Sequence, residues 1–202
     1  MLISAFTDTH GEFPPNLIKG DVILHGGDVY EDSRHWRGVE AWGALDKRVL
    51  AVRGNHDAFD PVNFFEGREL TVEELGNGLW AVGIGFATQD MSYGPYAIPT
   101  EHTMTEIVSE RLKETTLKIP QGAQVVVLSH YAPASKFYPP KEGWYFVCLT
   151  ALCEALRPVM MIHGHSHHMF GKEYYIGDVP ALCPGHKGMT FEYKDGQLGR
   201  VK

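Results

Sequence analysis

The chain has 202 residues, with 18 Lys+Arg against 25 Asp+Glu, a formal net charge of −7 and 44% hydrophobic residues. That length suits one domain, residues 1–202, with enough apolar content to bury a core without disulfide or metal staples. The acid excess argues against a general nucleic-acid coat or a polybasic membrane binder, since both need surplus cations. The three cysteines, Cys148, Cys153 and Cys183, are odd in number and unevenly spaced, so they read as reduced thiols and not as a disulfide framework. The opening MLISAFTDTH has neither the basic nor the apolar region of a signal peptide, and no apolar run approaches a membrane span. A cytoplasmic protein is therefore expected. The 11 histidines are the unusual count, and they are clustered.

Short apolar runs alternate with turn signals and helix-like stretches. Leu2–Phe6 reads as the first strand, followed by Asp21–Leu24 and Arg48–Val52. A helix is expected over Ser33–Leu45, and further strands over Gly78–Ile84, Gln124–Leu128 and Val159–Ile162. The clearest helical period covers Thr100–Leu117, with Thr100 as N-cap, a capping box at Thr103-x-x-Glu106, and Ile107, Val108, Leu112 and Leu117 on its buried side. A second helix is expected over Phe146–Leu156, ending at Arg157 before Pro158. Short strands follow near Glu173–Ile176, Val179–Leu182 and Met189–Tyr193. Two long aromatic loops, Phe86–Pro99 and Tyr131–Tyr145, read either as binding loops or as aromatics packed onto the core. The order of elements suggests sheets flanked by helices.

Five polar clusters sit at expected strand ends: Asp8-Thr9-His10, Gly26-Gly27-Asp28, Gly54-Asn55-His56-Asp57, Ser129-His130 and His163-Gly164-His165-Ser166-His167. Residues two apart in an extended segment point the same way, so Asp8 pairs with His10, and His165 with His167, toward one ion. The clusters supply two carboxylates, an amide carbonyl and four imidazoles, with His56 to spare. A mixed nitrogen and oxygen set suits Mn, Fe, Co, Ni or Zn, and not Ca, which takes oxygen. No cysteine falls in a cluster, which argues against a thiolate zinc site. Seven ligands are too many for one catalytic ion and enough for two that share a carboxylate.

The ordered series DTH, GGD, GNHD, SH and GHSH resembles the calcineurin-like metallophosphoesterase superfamily, and it spans Asp8 to His167. The resemblance implies an α/β fold: a four-layer αββα sandwich, two mixed β-sheets flanked by helices, with a dinuclear metal site at the strand ends. It implies Asp8, His10 and His167 on the first metal, Asp28 bridging both, and Asn55, His130 and His165 on the second. It implies His56 as the catalytic histidine beside the leaving group, with Asn55 and His56 also facing substrate. The expected cofactors are two divalent transition-metal ions, Mn foremost. The implied reaction is attack of a metal-bridging hydroxide on phosphorus, with protonated His56 donating to the leaving alkoxide. Many members carry GDxxD, whose last Asp pairs with the catalytic His. Here Glu31 stands at that position with Asp32 next, so Glu31, Asp32 or Asp57 would orient His56.

The short chain leaves little room for a capping domain, and DTHGEFPP…GDVILHGGD resembles compact phosphodiesterases of the superfamily. A phosphodiesterase acting on a small or nucleotide-like diester is therefore expected, with Tyr138 and Trp144 as candidates to stack on a base. The alternatives are a broad phosphomonoesterase and a non-catalytic scaffold of the same fold. Neither a membrane nor a stable nucleic-acid partner is expected. His25 and His163 are candidates to hold a ligand's tautomer. His168 is expected at the rim, and His35, His102 and His186 at the surface or in packing. Arg53 is as much a salt-bridge residue as a phosphate clamp.

Overall fold

The computed structural model describes residues 1–30, 36–57, 64–65, 67–86, 99–141 and 143–201. Strands β1 (Leu2–Phe6), β2 (Val22–His25) and β3 (Arg48–Ala51) run parallel, and helix α1 (Trp36–Gly43) lies between β2 and β3 in sequence. A hairpin of β4 (Val72–Gly76) and β5 (Leu79–Ile84) turns at Asn77-Gly78, both with positive φ, which is the strongest short hairpin signal. Helix α2 (Glu101–Lys118) leads to β6 (Gln124–Ser129), and the short parallel pair β7 (Ala132–Pro133) and β8 (Tyr145–Phe146) precedes helix α3 (Val147–Leu156). Strands β9 (Met160–Ile162), β10 (Glu173–Ile176), β11 (Val179–Leu182), β12 (Met189–Lys194) and β13 (Gln197–Arg200) complete the chain.

The strands form one sheet ordered β13-β12-β1-β2-β3 and another ordered β10-β11-β9-β6-β5-β4, both mixed. Alternation along each strand decides the layers. Ile3, Ala5, Val22, Leu24, Leu50 and Val52 from the first sheet share a core with Leu79, Ala81, Val126, Leu128, Met160 and Ile162 from the second. The opposite faces are also apolar. Phe6, Ile23, Val49 and Ala51 pack under Val39 and Trp42 of α1. Val82, Ile84, Val125, Val127 and Met161 pack under Met104 and Val108 of α2 and Leu149, Leu152 and Cys153 of α3. Burial on both faces is why these strands read as continuous apolar runs and not as alternating ones. The result is the expected helix–sheet–sheet–helix order, with two mixed sheets flanked by helices.

The expected elements form, with shifts of a residue or two at their ends. The helix expected over residues 33–45 is helical over Trp36–Gly43, and its first three residues lie outside the described ones. The two hairpin partners β4 and β13 escaped the sequence reading, because VEELG and QLGR are polar edge strands with little apolar content. Thr100 caps α2 as expected, its hydroxyl accepting from the Thr103 N–H at 3.2 Å. The Thr103–Glu106 box does not form, since Thr103 is already the third helical residue. Leu117 is a correction: it is 87% exposed, and Met104 and Val108 carry the buried stripe with Ile107 and Leu112 beside them. Arg157 ends α3 in the left-handed region with φ 45°, turning the chain before Pro158. All three cysteines are buried and unbridged. No helix among the described residues is long and apolar enough to cross a membrane.

Candidate metal centre

Because β1, β2, β3, β6 and β9 point the same way within their sheets, their C-terminal loops gather at one edge of the sandwich. Backbone pairing continues past the strands and fixes these loops. The Asp8 N–H donates to the Gly27 carbonyl at 2.9 Å, and the His10 N–H to the Asp28 carbonyl at 2.9 Å. The Val52 N–H reaches the His25 carbonyl at 3.0 Å, and the Gly164 N–H the His130 carbonyl at 2.9 Å. The indole N–H of Trp42 in α1 holds the Glu12 carbonyl at 3.0 Å from beneath. At the turns Asp8, His10, Asp28 and His165 take φ of 53°, 47°, 53° and 63°. Side chains in that left-handed region cost about 1–2 kcal/mol each and persist where surrounding structure holds them. A Cβ on Gly164 would stand 2.5 Å from Asp8 Oδ2, so only glycine lets the fifth loop lie against the first.

Backbone donors also fix the carboxylates. The His165 N–H reaches both oxygens of Asp8, at 2.9 and 3.1 Å. The His56 N–H donates to Asp28 Oδ1 at 2.9 Å. Asp57 is fully buried and accepts from the N–H groups of Asp28 (2.7 Å), Gly54 (2.8 Å) and Tyr30 (3.0 Å), tying the second and third loops together. Burial pushes its carboxyl up to about 7, against the pull of these backbone donors. Burial also opposes ionisation of Asp8, but His167, His130 and Thr7 together hold its carboxyl down to about 2.

The expected ligands come together. Asp8, His10 and His167 place ligand atoms within 4.8 Å of one another, as do Asp8, Asp28 and His130. The His130 Nδ1–H donates to the Gly26 carbonyl at 2.9 Å, which turns its Nε2 lone pair inward. There it meets Asn55 Oδ1 at 3.0 Å and Asp28 Oδ2 at 3.5 Å. Burial lowers His130 to about 4, so the ring is neutral. Burial, and then His130, lower His165 to about 3, and its Nδ1 lies 3.0 Å from the same Asn55 oxygen. On the outer side His10 Nε2 and His167 Nε2 lie 3.4 Å apart, with Asp8 Oδ1 3.4 Å from His167. Imidazole nitrogens and acceptor oxygens from all five loops thus converge on one spot. This nitrogen and oxygen set therefore fits divalent transition-metal ions.

His56 joins the cluster from above: its ring is edge-on to His10 at 4.8 Å, and its Nε2 is 3.9 Å from Asp28 Oδ2. Burial, and then the His10 beside it, lower it to about 4. Asp57 binds backbone N–H groups on both flanking loops, including that of Asp28, while Glu31 and Asp32 lie outside the described residues.

Other expectations change. His25 holds the Thr9 hydroxyl at 2.9 Å, and His163 accepts from Tyr174 at 3.0 Å, so both support the loops without touching a ligand side chain. Arg53 pairs with Glu69 at 3.3 Å and lies over Phe65, which is the salt-bridge role. Tyr138 stacks on Tyr145 at 5.4 Å and meets Tyr174 edge-on, so it packs a loop onto the core. Trp144 instead faces the centre, its ring 5.2 Å from His165. Residues 87–98 of the other aromatic loop, and His35, lie outside the described residues. His102 is exposed on α2, and His168 takes the Tyr145 hydroxyl at 3.0 Å. The sequence reading missed Glu12, Phe170 and His186, which line a cavity of about 280 Å³ over Asp8, His10 and His167. Only the GH pair at Gly185-His186 hinted at the last of these.

Comparison with known proteins identifies the fold and the family. Three solved structures share the fold. They are a putative 5′-nucleotidase from Staphylococcus aureus (TM-score 0.60, 13% identity), TT1561 of Thermus thermophilus (0.64, 14%) and a phosphopantetheinyl hydrolase from Mycobacterium tuberculosis (0.60, 15%). The matches cover 100%, 100% and 98% of this chain. They span 52% of the first protein, about half its length, and 98% and 95% of the others. No curated protein is similar in sequence. A family profile described as calcineurin-like phosphoesterase matches residues 1–169, which hold all five strand-end clusters. The chain belongs to the calcineurin-like phosphoesterase family.

Proposed function

We propose that residues 1–202 act as one domain that hydrolyses phosphoesters with two divalent metal ions, Mn foremost, and that its substrate is a small or nucleotide-like phosphodiester. The observation that carries this is the convergence of imidazole nitrogens and acceptor oxygens around Asp8 and Asp28 at one edge of both sheets. Asp8, His10 and His167 would hold one ion, Asn55, His130 and His165 the other, and Asp28 would bridge. When bound, such ions acidify water toward neutral pH and neutralise charge on the phosphoryl oxygens.

The chain's own residues then have separate work. Backbone N–H groups keep Asp8 and Asp28 aimed inward before substrate arrives, which lowers the cost of reorganisation. His56, half-buried with an outlet to solvent, is the group placed to give a proton to a leaving oxygen. It is neutral in this state, so the substrate's negative charge must raise it first. That assistance matters most for poor leaving groups, which favours diesters over activated monoesters. Trp144 is the aromatic available to stack on a base. Three buried thiols without a bridge fit a cytoplasmic setting.

Turnover of bis-aryl phosphate, aryl phosphate and cyclic nucleotides with Mn²⁺ tests the reading. Preference for the diesters supports it; faster turnover of the monoester selects the phosphomonoesterase, and no turnover with any metal selects the scaffold. Trp144→Ala should raise KM several-fold for nucleotide diesters and less for the aryl ester. Equal effects remove the stacking role.

A further inference from the structure

Residues beyond the family match add a feature to the same edge. Strand β11 runs parallel to β9, so the loop after it, Cys183 to Gly188, emerges beside the metal centre. The loop is fastened there: the Gly185 N–H donates to the Thr7 hydroxyl at 3.1 Å, and the Gly188 N–H to the Gly185 carbonyl at 3.1 Å. Gly188 has φ 66°, and a Cβ on it would stand 2.2 Å from the Phe6 ring. The turn is thus pressed against β1, with Lys187 exposed and His186 half-buried beside Phe170.

Three neighbouring cavities share lining residues along this loop. The first, over the metal ligands, has a volume of about 280 Å³ and shares Phe170 and His186 with the second, of about 320 Å³. The second shares Lys187 and Arg200 with the third, of about 160 Å³, which adds Lys19. Phe170 lies against both His167 (4.8 Å) and His186 (5.6 Å) at the junction of the first two. No acidic residue among the described ones lines the second or third cavity, whereas Glu12 lines the first. Lys19, Lys187 and Arg200 are all exposed, in a protein whose net charge is −7.

We propose that Lys19, Lys187 and Arg200 form a second anion subsite, which selects small substrates carrying a phosphate group besides the one at the metal centre. This rests on the reading of that centre as the place where the first phosphoryl group lands. An Arg fork and two ammonium groups match a phosphate dianion better than a single carboxylate. The cations reach the metal centre's cavity only through the lining shared at Phe170 and His186. Phe170, between the two ends, offers an apolar wall to the body of such a substrate.

Calorimetry on the Mn²⁺-loaded chain tests this, using adenosine 3′,5′-bisphosphate and adenosine 5′-monophosphate. The bisphosphate should bind at least about tenfold tighter, because its second phosphate gains charge-assisted contacts that the monophosphate cannot make. In Lys19→Gln/Lys187→Gln/Arg200→Gln that ratio should fall toward one, and added salt should lower it only in the unmodified chain. The three positions are exposed, so melting temperature should stay near that of the parent and serves as the folding check. Equal affinities in the parent, or a ratio unchanged in the triple variant, overturn the subsite. Affinity that keeps rising with oligonucleotides beyond the dinucleotide overturns the small-substrate assignment in favour of a strand. Binding is read without turnover, so an inactive chain that keeps the ratio refutes the proposed hydrolysis and leaves the subsite standing.

Discussion

The two halves of the metal centre differ in how they are held. Asp28 and His130 are 2% and 0% exposed, and each is tied to backbone groups of another loop. His167, on the other half, is 57% exposed and meets Asp8 and His10 through its ring alone. His56 stands between these extremes at 25%. The inner half is built before anything binds, so its geometry depends on the fold. The outer half is open to water at His167, while its Asp8 is buried and held by backbone as firmly as the inner half. A site that must hold ions firmly and exchange substrate quickly needs this division.

Four substitutions break or sharpen that contrast. The largest effect belongs to Asp28→Ala, which removes the carboxylate proposed to serve both ions. Bound Mn²⁺ should fall from about two per chain to below one, and diester turnover by about 10⁴-fold or more. Elemental analysis beside a rate assay checks it, and two retained ions would refute the bridging role. His56→Ala should lower kcat by about 10³-fold, within the usual range for a positioned proton donor, while metal content stays near two. Loss of an ion instead would make His56 a ligand, a role its 3.9 Å approach to Asp28 also allows.

Asp57→Asn tests the buried scaffold and not the chemistry. The amide oxygen replaces a carboxylate that accepts from three N–H groups, and the new NH₂ meets donors. Stability should drop by about 2–4 kcal/mol, read from urea denaturation. A loss under about 0.5 kcal/mol would mean the two loops do not depend on it. His167→Ala should be mildest: Mn²⁺ affinity about 10- to 100-fold weaker, with turnover recovering at high Mn²⁺. A loss as deep as that of Asp28→Ala, without recovery, would erase the difference between the halves.

Sequence reading succeeded where the signal was local. Leu2–Phe6, Gln124–Ser129 and Met160–Ile162 are buried on both faces, so their apolar runs stand out, and polar clusters directly after them mark the strand ends. It failed where burial depended on distant partners. VEELG and QLGR become strands only by pairing at a sheet edge. Leu117 fits the helical period, yet the last turn of α2 leaves it facing solvent. Tyr138 and Trp144 looked alike in one loop, and only their neighbours separate them: Tyr145 and Tyr174 for the first, His165 for the second.

The sequence alone determined the polar clusters after each strand and the continuous apolar runs before them, because both are properties of short segments. The tertiary structure alone decided which of those segments meet. Asp8 and His165 are 157 residues apart, and their bond exists because two sheets share one core and end their parallel strands at one edge. The same packing set which imidazoles are buried and which are open, made Asp57 a clamp between loops, and laid His186 beside Asp8, His10 and His167. Contacts of that range depend on how layers stack, which no window of the sequence contains.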